Sequence, residues 1–330
     1  MRDWLRLFRA QTGLSTYFGF AVPYLIAGGN PLVAVGLLPV GLLMHYASFG
    51  HNSVMDYWYD IHDPAKAHHP LQSGRISLGR AHIVIHSMLA LAALVCIAVT
   101  LLISPRPEVA LAFLALYMTF GHAYNDGLGK HTRHSWLPIS LCFTSLAGWG
   151  WFLATDTFDL NLALILLAAF VAIAYQIGFE GNLKDLCADK VNLLHGFARR
   201  MECKHEGGKL AMIRYEGHTF WWLRVLDTVI LWLLGINLDA HPGILVLAVA
   251  SVAQWWQISR MERELGYGLN RDRLLGYLGR IEVLEFLKLM SPMLYSTGNI
   301  LVFLFYVPLG LAYFTVMNRL LWGTVWAPRV

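Results

Sequence analysis

Two short acidic stretches carry the residues most suited to chemistry. In HNSVMDYWYDIHD, which starts at His51, the residues Asn52, Asp56 and Asp60 recur every four positions. In GNLKDLCADK, which starts at Gly181, Asn182 precedes Asp185 and Asp189. Residues at i and i+4 of a helix share a face, so each segment presents two carboxylates and a carboxamide as one polar stripe. Carboxylates at that spacing repel, and beside a membrane ionising both is costlier still. A divalent cation offsets the repulsion. Mg2+ prefers hard oxygen ligands, accepts one or two carboxylates from protein, and completes its octahedron with water and phosphate oxygens. Zinc or copper would draw on histidines or cysteines in tight spacing, which these stripes lack. Asp56, Asp60, Asp185 and Asp189 are therefore the expected metal ligands, and facing stripes would hold ions around one diphosphate.

A diphosphate also needs direct cationic contacts. Lys66, Arg75, Lys130 and Lys184 stand near the stripes, and Tyr124, six residues before Lys130, adds a hydroxyl donor. Arginine grips phosphate with two donors, whereas lysine acts as a point charge. Metal and cations aimed at the same oxygens favour departure of a diphosphate, because they stand where negative charge grows.

The elements that must position these groups are membrane helices. The chain of 330 residues is 57% hydrophobic and only 14% charged, with mean hydropathy +0.51; a soluble domain carries roughly 25% charged residues. Apolar runs near the ~20 residues needed to span a bilayer recur along it. Nine are read, at 12–29, 31–51, 81–104, 108–127, 135–155, 159–180, 218–238, 243–259 and 293–317. Their length and helical period favour helices over a barrel, whose strands would be about ten residues long and alternating. The expected fold class is an all-α integral membrane protein, one transmembrane domain over 1–330. Residues 1–11, with Arg2, Arg6 and Arg9 among Trp4, Leu5, Leu7 and Phe8, suit a short segment on an anionic leaflet as well as a plain basic tail. The first run has full span length and no small-residue cleavage site, so it is expected to stay as the first helix.

With the N-terminus inside, the inner loops collect Lys66, Arg75, Arg80, Lys130, Arg133, Lys184 and Lys190, a basic run from Arg199 to Arg214, and a last group from Arg260 to Arg280. The outer loops hold Arg106 and the residues beyond the ninth span. That asymmetry puts both acidic stripes on the cytoplasmic side. The net charge of +4 then reports topology and requires no nucleic-acid partner; the lipid bilayer is the expected surround. The two longest polar loops, about 56–80 and 181–217, lie on that same side and come after spans two and six, as a weak internal repeat. Loops of that length in a compact bundle tend to be functional. His45, His51 and His122 read as packing residues, and Cys96, Cys142, Cys187 and Cys203 as reduced structural thiols without metal-like spacing.

These residues resemble a known family. The N-x-x-x-D-x-x-x-D pattern at Asn52, Asp56 and Asp60, with the stretch from Pro64 to Ser77, is similar to the first signature of the UbiA superfamily of intramembrane prenyltransferases, and N-L-K-D-x-x-x-D from Asn182 to Asp189 to its second. The resemblance implies a nine-helix bundle around a central cavity that opens sideways to lipid, capped by the two cytoplasmic loops. It implies Mg2+ and an isoprenyl diphosphate whose tail enters the cavity, ionisation to an allylic cation, and capture by an acceptor the sequence does not name. Carried onto this chain, it makes the four aspartates metal-facing, has Asn52 and Asn182 orient metal or diphosphate, and has Arg75, Lys130 and Tyr124 contact the diphosphate, with Lys66 and Lys184 as further cations. This chain departs from the pattern at Ser53, His69 and Leu193, where the family commonly has Asp, Arg and Gly, and in its second loop.

Two other functions compete. A terpene cyclase would use the same ionisation and turn the cation on its own double bonds. A secondary transporter would also place Asp and His in a membrane, but its site is expected near mid-membrane, not at one face.

Overall fold

The computed structural model describes residues 1–61, 66–128, 132–189, 191–206, 209–238, 241–296 and 300–325. Among them, five helices are long and apolar enough to cross a membrane: Leu78–Ile103, Trp136–Ala154, Leu160–Lys184, Pro242–Tyr267 and Val302–Trp322. Local sequence explains where elements begin and end. Helix α1 (Arg2–Leu7) is followed by α2 (Leu14–Ile26), which stops at Gly28, a residue with φ 88°. The Asn30 side chain then accepts from the Leu32 N–H at 2.8 Å and, with Pro31 at the first position, opens α3 (Pro31–Gly36). Helices α4 (Leu38–Met55) and α5 (Tyr57–Asp60) meet at Asp56. Next come α6 (Leu78–Ile103), α7 (Pro107–Ala123), α8 (Trp136–Ala154) and α9 (Leu160–Tyr175), the last capped by Asp159 through the Leu162 N–H at 2.9 Å.

The core lies where α2, α4, α7, α8 and α9 meet, around Tyr17, Phe20, Trp149 and Phe152. Helix α8 crosses α2 closely because position 150 is glycine: a Cβ there would stand 2.1 Å from the Phe20 carbonyl oxygen. Trp149 packs edge-on against Phe20 at 4.9 Å and donates its indole N–H to Thr100 at 2.9 Å. A smaller cluster of Leu7, Val54, Leu71, Ile76, Ala81 and Ile85 docks α1 and the 66–77 loop onto α4 and α6.

Past α9 the chain departs from expectation in four respects. First, after α10 (Asn182–Lys184), the all-α reading needs correction at the second loop, where β1 (Ala198–Glu206) and β2 (Lys209–Gly217) pair antiparallel and β3 (Leu269–Asn270) adds to β2. Ile213 and Tyr215, two apart on β2, turn to one side and bury against Leu183, Leu186 and Leu274. Second, Cys187 and Cys203 are not reduced: they form a disulfide with Cα atoms 6.0 Å apart, because the hairpin folds β1 back beside Cys187. Cys96 and Cys142 are free and buried. Third, after α11 (Trp221–Asn237) and α12 (His241–Tyr267), the expected 260–292 loop is a helix, α13 (Arg271–Met290), capped by Asn270. Fourth, of the residues after the last span, expected on the outer face, the described ones, 318–325, lie at the N-terminal end of the bundle. There, beyond α14 (Met293–Ser296), the Leu321 carbonyl near the end of α15 (Ile300–Trp322) accepts from Arg2 at 3.1 Å and from Arg6 at 2.7 Å. The additional helix α13 reverses the direction in which the chain finishes.

Candidate active site

The first stripe keeps its helical register across the junction of α4 and α5. The Asp56 N–H donates to the Asn52 carbonyl, and the Asp60 N–H to the Asp56 carbonyl, both at 2.9 Å. The second stripe does the same at the end of α10, where the Asp189 N–H donates to the Asp185 carbonyl at 3.0 Å. Each stripe is reached through a turn of π-helix or stands beside one: Gln176–Gly181 precedes Asn182, and Tyr124–Leu128 flanks Asn52. The extra residue of a π turn rotates the next stretch of chain about the helix axis and so re-aims its side chains, which is why such turns recur at functional sites.

The two stripes face one hollow of about 150 Å3. Asn52, Asp56, Asp60, Lys66, Tyr124, Asn182, Lys184, Asp185 and Asp189 all line it. Each stripe brings its own lysine: Lys66 Nζ stands 2.7 Å from Asp60 Oδ1, and Lys184 Nζ 4.0 Å from Asp185 Oδ2. Asn182 is committed to the backbone, donating to the Ile177 carbonyl at 2.8 Å and accepting from the Leu193 N–H at 3.2 Å, so it holds the second loop in place. Asn52 donates to Asn125 Oδ1 at 3.2 Å. Arg75 does not line the hollow; it pairs with Asp3 at 3.2 Å and donates to the His68 carbonyl at 2.5 Å. Lys130 lies outside the described residues.

Two features escaped the sequence reading. Arg9 lines the hollow, although its spacing groups it with Arg2 and Arg6 on the N-terminal segment. The cause is backbone: Arg9 takes a left-handed conformation, φ 47° and ψ 47°, as the chain leaves α1. Its buried Nε has no hydrogen-bond partner among the described residues. His69, where an arginine is usual in the resembling family, supplies no charge at neutral pH. Burial, with the Arg9 guanidinium nearby, pushes its imidazole down to about 4 despite the opposing Gln72 contact and Asp60 charge.

The second feature is an ion cluster walled into the bundle. Arg224 on α11 meets Glu285 on α13 at 2.9 Å and Glu180 at 3.4 Å. Lys288 meets Asp227 at 2.5 Å, Glu285 at 2.9 Å and the Gln254 side chain at 3.0 Å. All five charged side chains are buried. No spacing between Glu180, Arg224 and Glu285 announces the cluster in the sequence; only the packing of α11 against α13 assembles it.

A cavity of about 750 Å3 adjoins the hollow, and Arg9, Asn52, Tyr124, Ile177 and Lys184 line both. Most of its lining is apolar, including Phe18, Met44, Leu114, Phe143, Leu231 and Phe286, with Arg224, Glu282 and Glu285 also on its wall. A charged head and a long hydrocarbon tail would thus find adjoining compartments. Four carboxylates facing one space are a hard-oxygen donor set, which fits Mg2+.

The profile of the UbiA prenyltransferase family matches residues 14–266. Among curated protein sequences none matches the chain. Among solved structures, one described as bearing on digeranylgeranylglyceryl phosphate synthase in membranes superposes with a TM-score of 0.58 at 15% identity, covering 90% of this chain and 98% of that one. A UbiA homologue from Archaeoglobus fulgidus bound to GPP and Mg2+ gives 0.56 at 14% identity, covering 90% and 100%. The apo UbiA homologue from Aeropyrum pernix K1 gives 0.55 at 14%, covering 88% and 98%. At these identities the likeness is one of fold.

Proposed function

The chain belongs to the UbiA prenyltransferase family, and from that premise we propose that it ionises an isoprenyl diphosphate with Mg2+ and transfers the prenyl group to an acceptor within the membrane. The observation that carries this reading is the single hollow lined by Asp56, Asp60, Asp185 and Asp189 that adjoins an apolar cavity. Mg2+ held by the four aspartates would neutralise the diphosphate as its charge grows. Lys66, Lys184 and Arg9 supply the direct cations, and Tyr124, at the boundary of the two compartments, supplies a hydroxyl donor. Asn52 orients the first stripe's ligands, and Asn182 holds the second loop. In this reading Arg75 acts at a distance by fixing the 66–77 loop through Asp3 and His68, and Lys130 contacts the diphosphate as the family resemblance implies. The cavity's apolar walls take the tail and keep water from the cation.

The test is product analysis by mass after supplying geranyl, farnesyl and geranylgeranyl diphosphates with Mg2+ to the purified protein, with and without a lipid extract as acceptor. Prenylated lipid formed only with the extract supports transfer. Terpene hydrocarbon or alcohol formed without it would replace transfer by cyclisation. Asp56→Asn or Asp185→Asn should abolish diphosphate release while the protein stays folded; full activity in both would remove the aspartates from the reaction.

A further inference from the structure

Beside the hollow, and not part of it, several imidazoles converge. We propose that His51, His122 and Asp126 form a site for a divalent transition ion of the zinc class. The ligand atoms of His51, His122 and Asp126 all lie within 4.8 Å of one another. They come from three places in the chain: α4, the last turn of α7, and the π turn directly after it. His51 Nε2 stands 3.4 Å from Asp126 Oδ1. Two ligands of a tetrahedral ion with bonds of about 2.0–2.1 Å are separated by roughly 3.3–3.4 Å, so this pair already has the span of one coordination edge. The other oxygen of Asp126 meets His122 Nε2.

The surroundings are those of a ligating group of histidines. The His51 and His122 rings lie parallel, 3° apart in plane, with centroids at 5.6 Å. The His86 ring stands edge-on to His51 at 5.8 Å. His86 Nδ1 donates to the His82 carbonyl at 2.7 Å, which leaves Nε2 with its lone pair, the tautomer a metal takes. Asn125 Nδ2 donates to His51 Nδ1 at 3.1 Å and fixes the ring with its proton on Nε2; an ion on Nε2 would require the Asn125 and Asn52 amides to turn over so that Nδ1 donates. Spacing supports the same reading: His82 and His86 on α6, and His122 at the end of α7 with Asp126 in the π turn after it, are both i,i+4 pairs. Imidazole suits zinc, copper, iron and nickel and does not suit Mg2+, so this site and the aspartate hollow would select different ions.

The site is one hydrogen-bonded link from the hollow. Asn125, which contacts His51, also accepts from Asn52 at 3.2 Å, and Asn52 lines the hollow. An ion that joins α4 to the end of α7 would fix Asn52 without touching the diphosphate, so its role would be positioning.

The experiment is a Co2+ titration of the chelator-stripped, detergent-solubilised protein in millimolar Mg2+, read by the visible band of four-coordinate Co2+, with Zn2+ added to displace it. One equivalent should bind. His122→Gln and Asp126→Asn should each weaken it by at least the roughly 10- to 100-fold that loss of even an outer partner costs, while Asp185→Asn leaves it intact. His122 is 69% exposed, so His122→Gln should fold, with melting as the check; Asp126→Asn keeps volume and polarity should it not. Failure to bind Co2+ or Zn2+, retention of the band in both variants, or its loss only in Asp185→Asn would overturn the proposal.

Discussion

Replacing Arg9 separates electrostatics from backbone strain. Its guanidinium lines the hollow, and its buried Nε has no hydrogen-bond partner among the described residues, so a diphosphate there would gain a charge-assisted hydrogen bond. Hydrogen bonds to charged groups contribute about 1.5–3 kcal/mol. At about 1.4 kcal/mol per factor of ten, Arg9→Ala should raise KM for the prenyl diphosphate roughly 10- to 150-fold. The backbone supplies the control. At φ 47° a side chain is strained, and a left-handed residue other than glycine costs roughly 1–2 kcal/mol. Arg9→Gly should therefore show the same kinetic defect as Arg9→Ala with a higher melting temperature, and Arg9→Lys should recover part of the binding. Radiolabelled prenyl diphosphate, with initial rates at several concentrations, reads the kinetics, and thermal unfolding in detergent reads the strain. An unchanged KM in both Arg9→Ala and Arg9→Gly, or a defect that disappears in Arg9→Gly, would refute the reasoning.

Three further outcomes are expected. Asp227→Ala takes one of three partners from the fully buried Lys288 and leaves it Glu285 and Gln254, so it should cost about 1–3 kcal/mol, whereas Asp227→Leu with Lys288→Met should be near neutral or stabilising; denaturation midpoints of both decide it. Cys203→Ser opens a link between residues 16 apart in sequence and should lower stability by about 3 kcal/mol, an effect that vanishes when both proteins are melted with reductant. His69 has its folded-state pKa lowered to about 4, so the unfolded chain takes up its proton first as pH falls from the ordinary value of about 6.5. Stability should decline across that window, and His69→Gln should decline less when melting is followed from pH 7 to pH 4.

What could be read from the sequence was what repeats or persists. Asp56 and Asp60 hold the i,i+4 relation in a regular backbone, so their shared face is visible without coordinates, and long apolar runs such as 81–104 locate α6 to within a few residues. Arg9 was hidden because one left-handed residue carries it away from the periodic segment it belongs to. Arg75 is close in sequence to the first stripe, and in the structure it pairs with Asp3 and the His68 carbonyl, contacts that no local spacing announces. Helix α13 was read as a loop because it carries Arg271, Arg273, Arg280, Glu282, Glu285 and Lys288, charges that a hydropathy argument assigns to water. Its buried charges are matched by α11 and α12, and that matching is tertiary. The hairpin did leave a local mark, the alternation of Ile213 and Tyr215 after the Gly207-Gly208 pair, which the helical reading of the chain passed over.

The partners of α13 have a bearing on how the protein is made. A segment with Glu285 and Lys288 near its C-terminal end would leave hydrocarbon-facing charges unmatched if it packed alone. Arg224, Asp227 and Gln254, which satisfy those groups, are all synthesised earlier. Burial of α13 should therefore cost least once α11 and α12 are in place to match its charges.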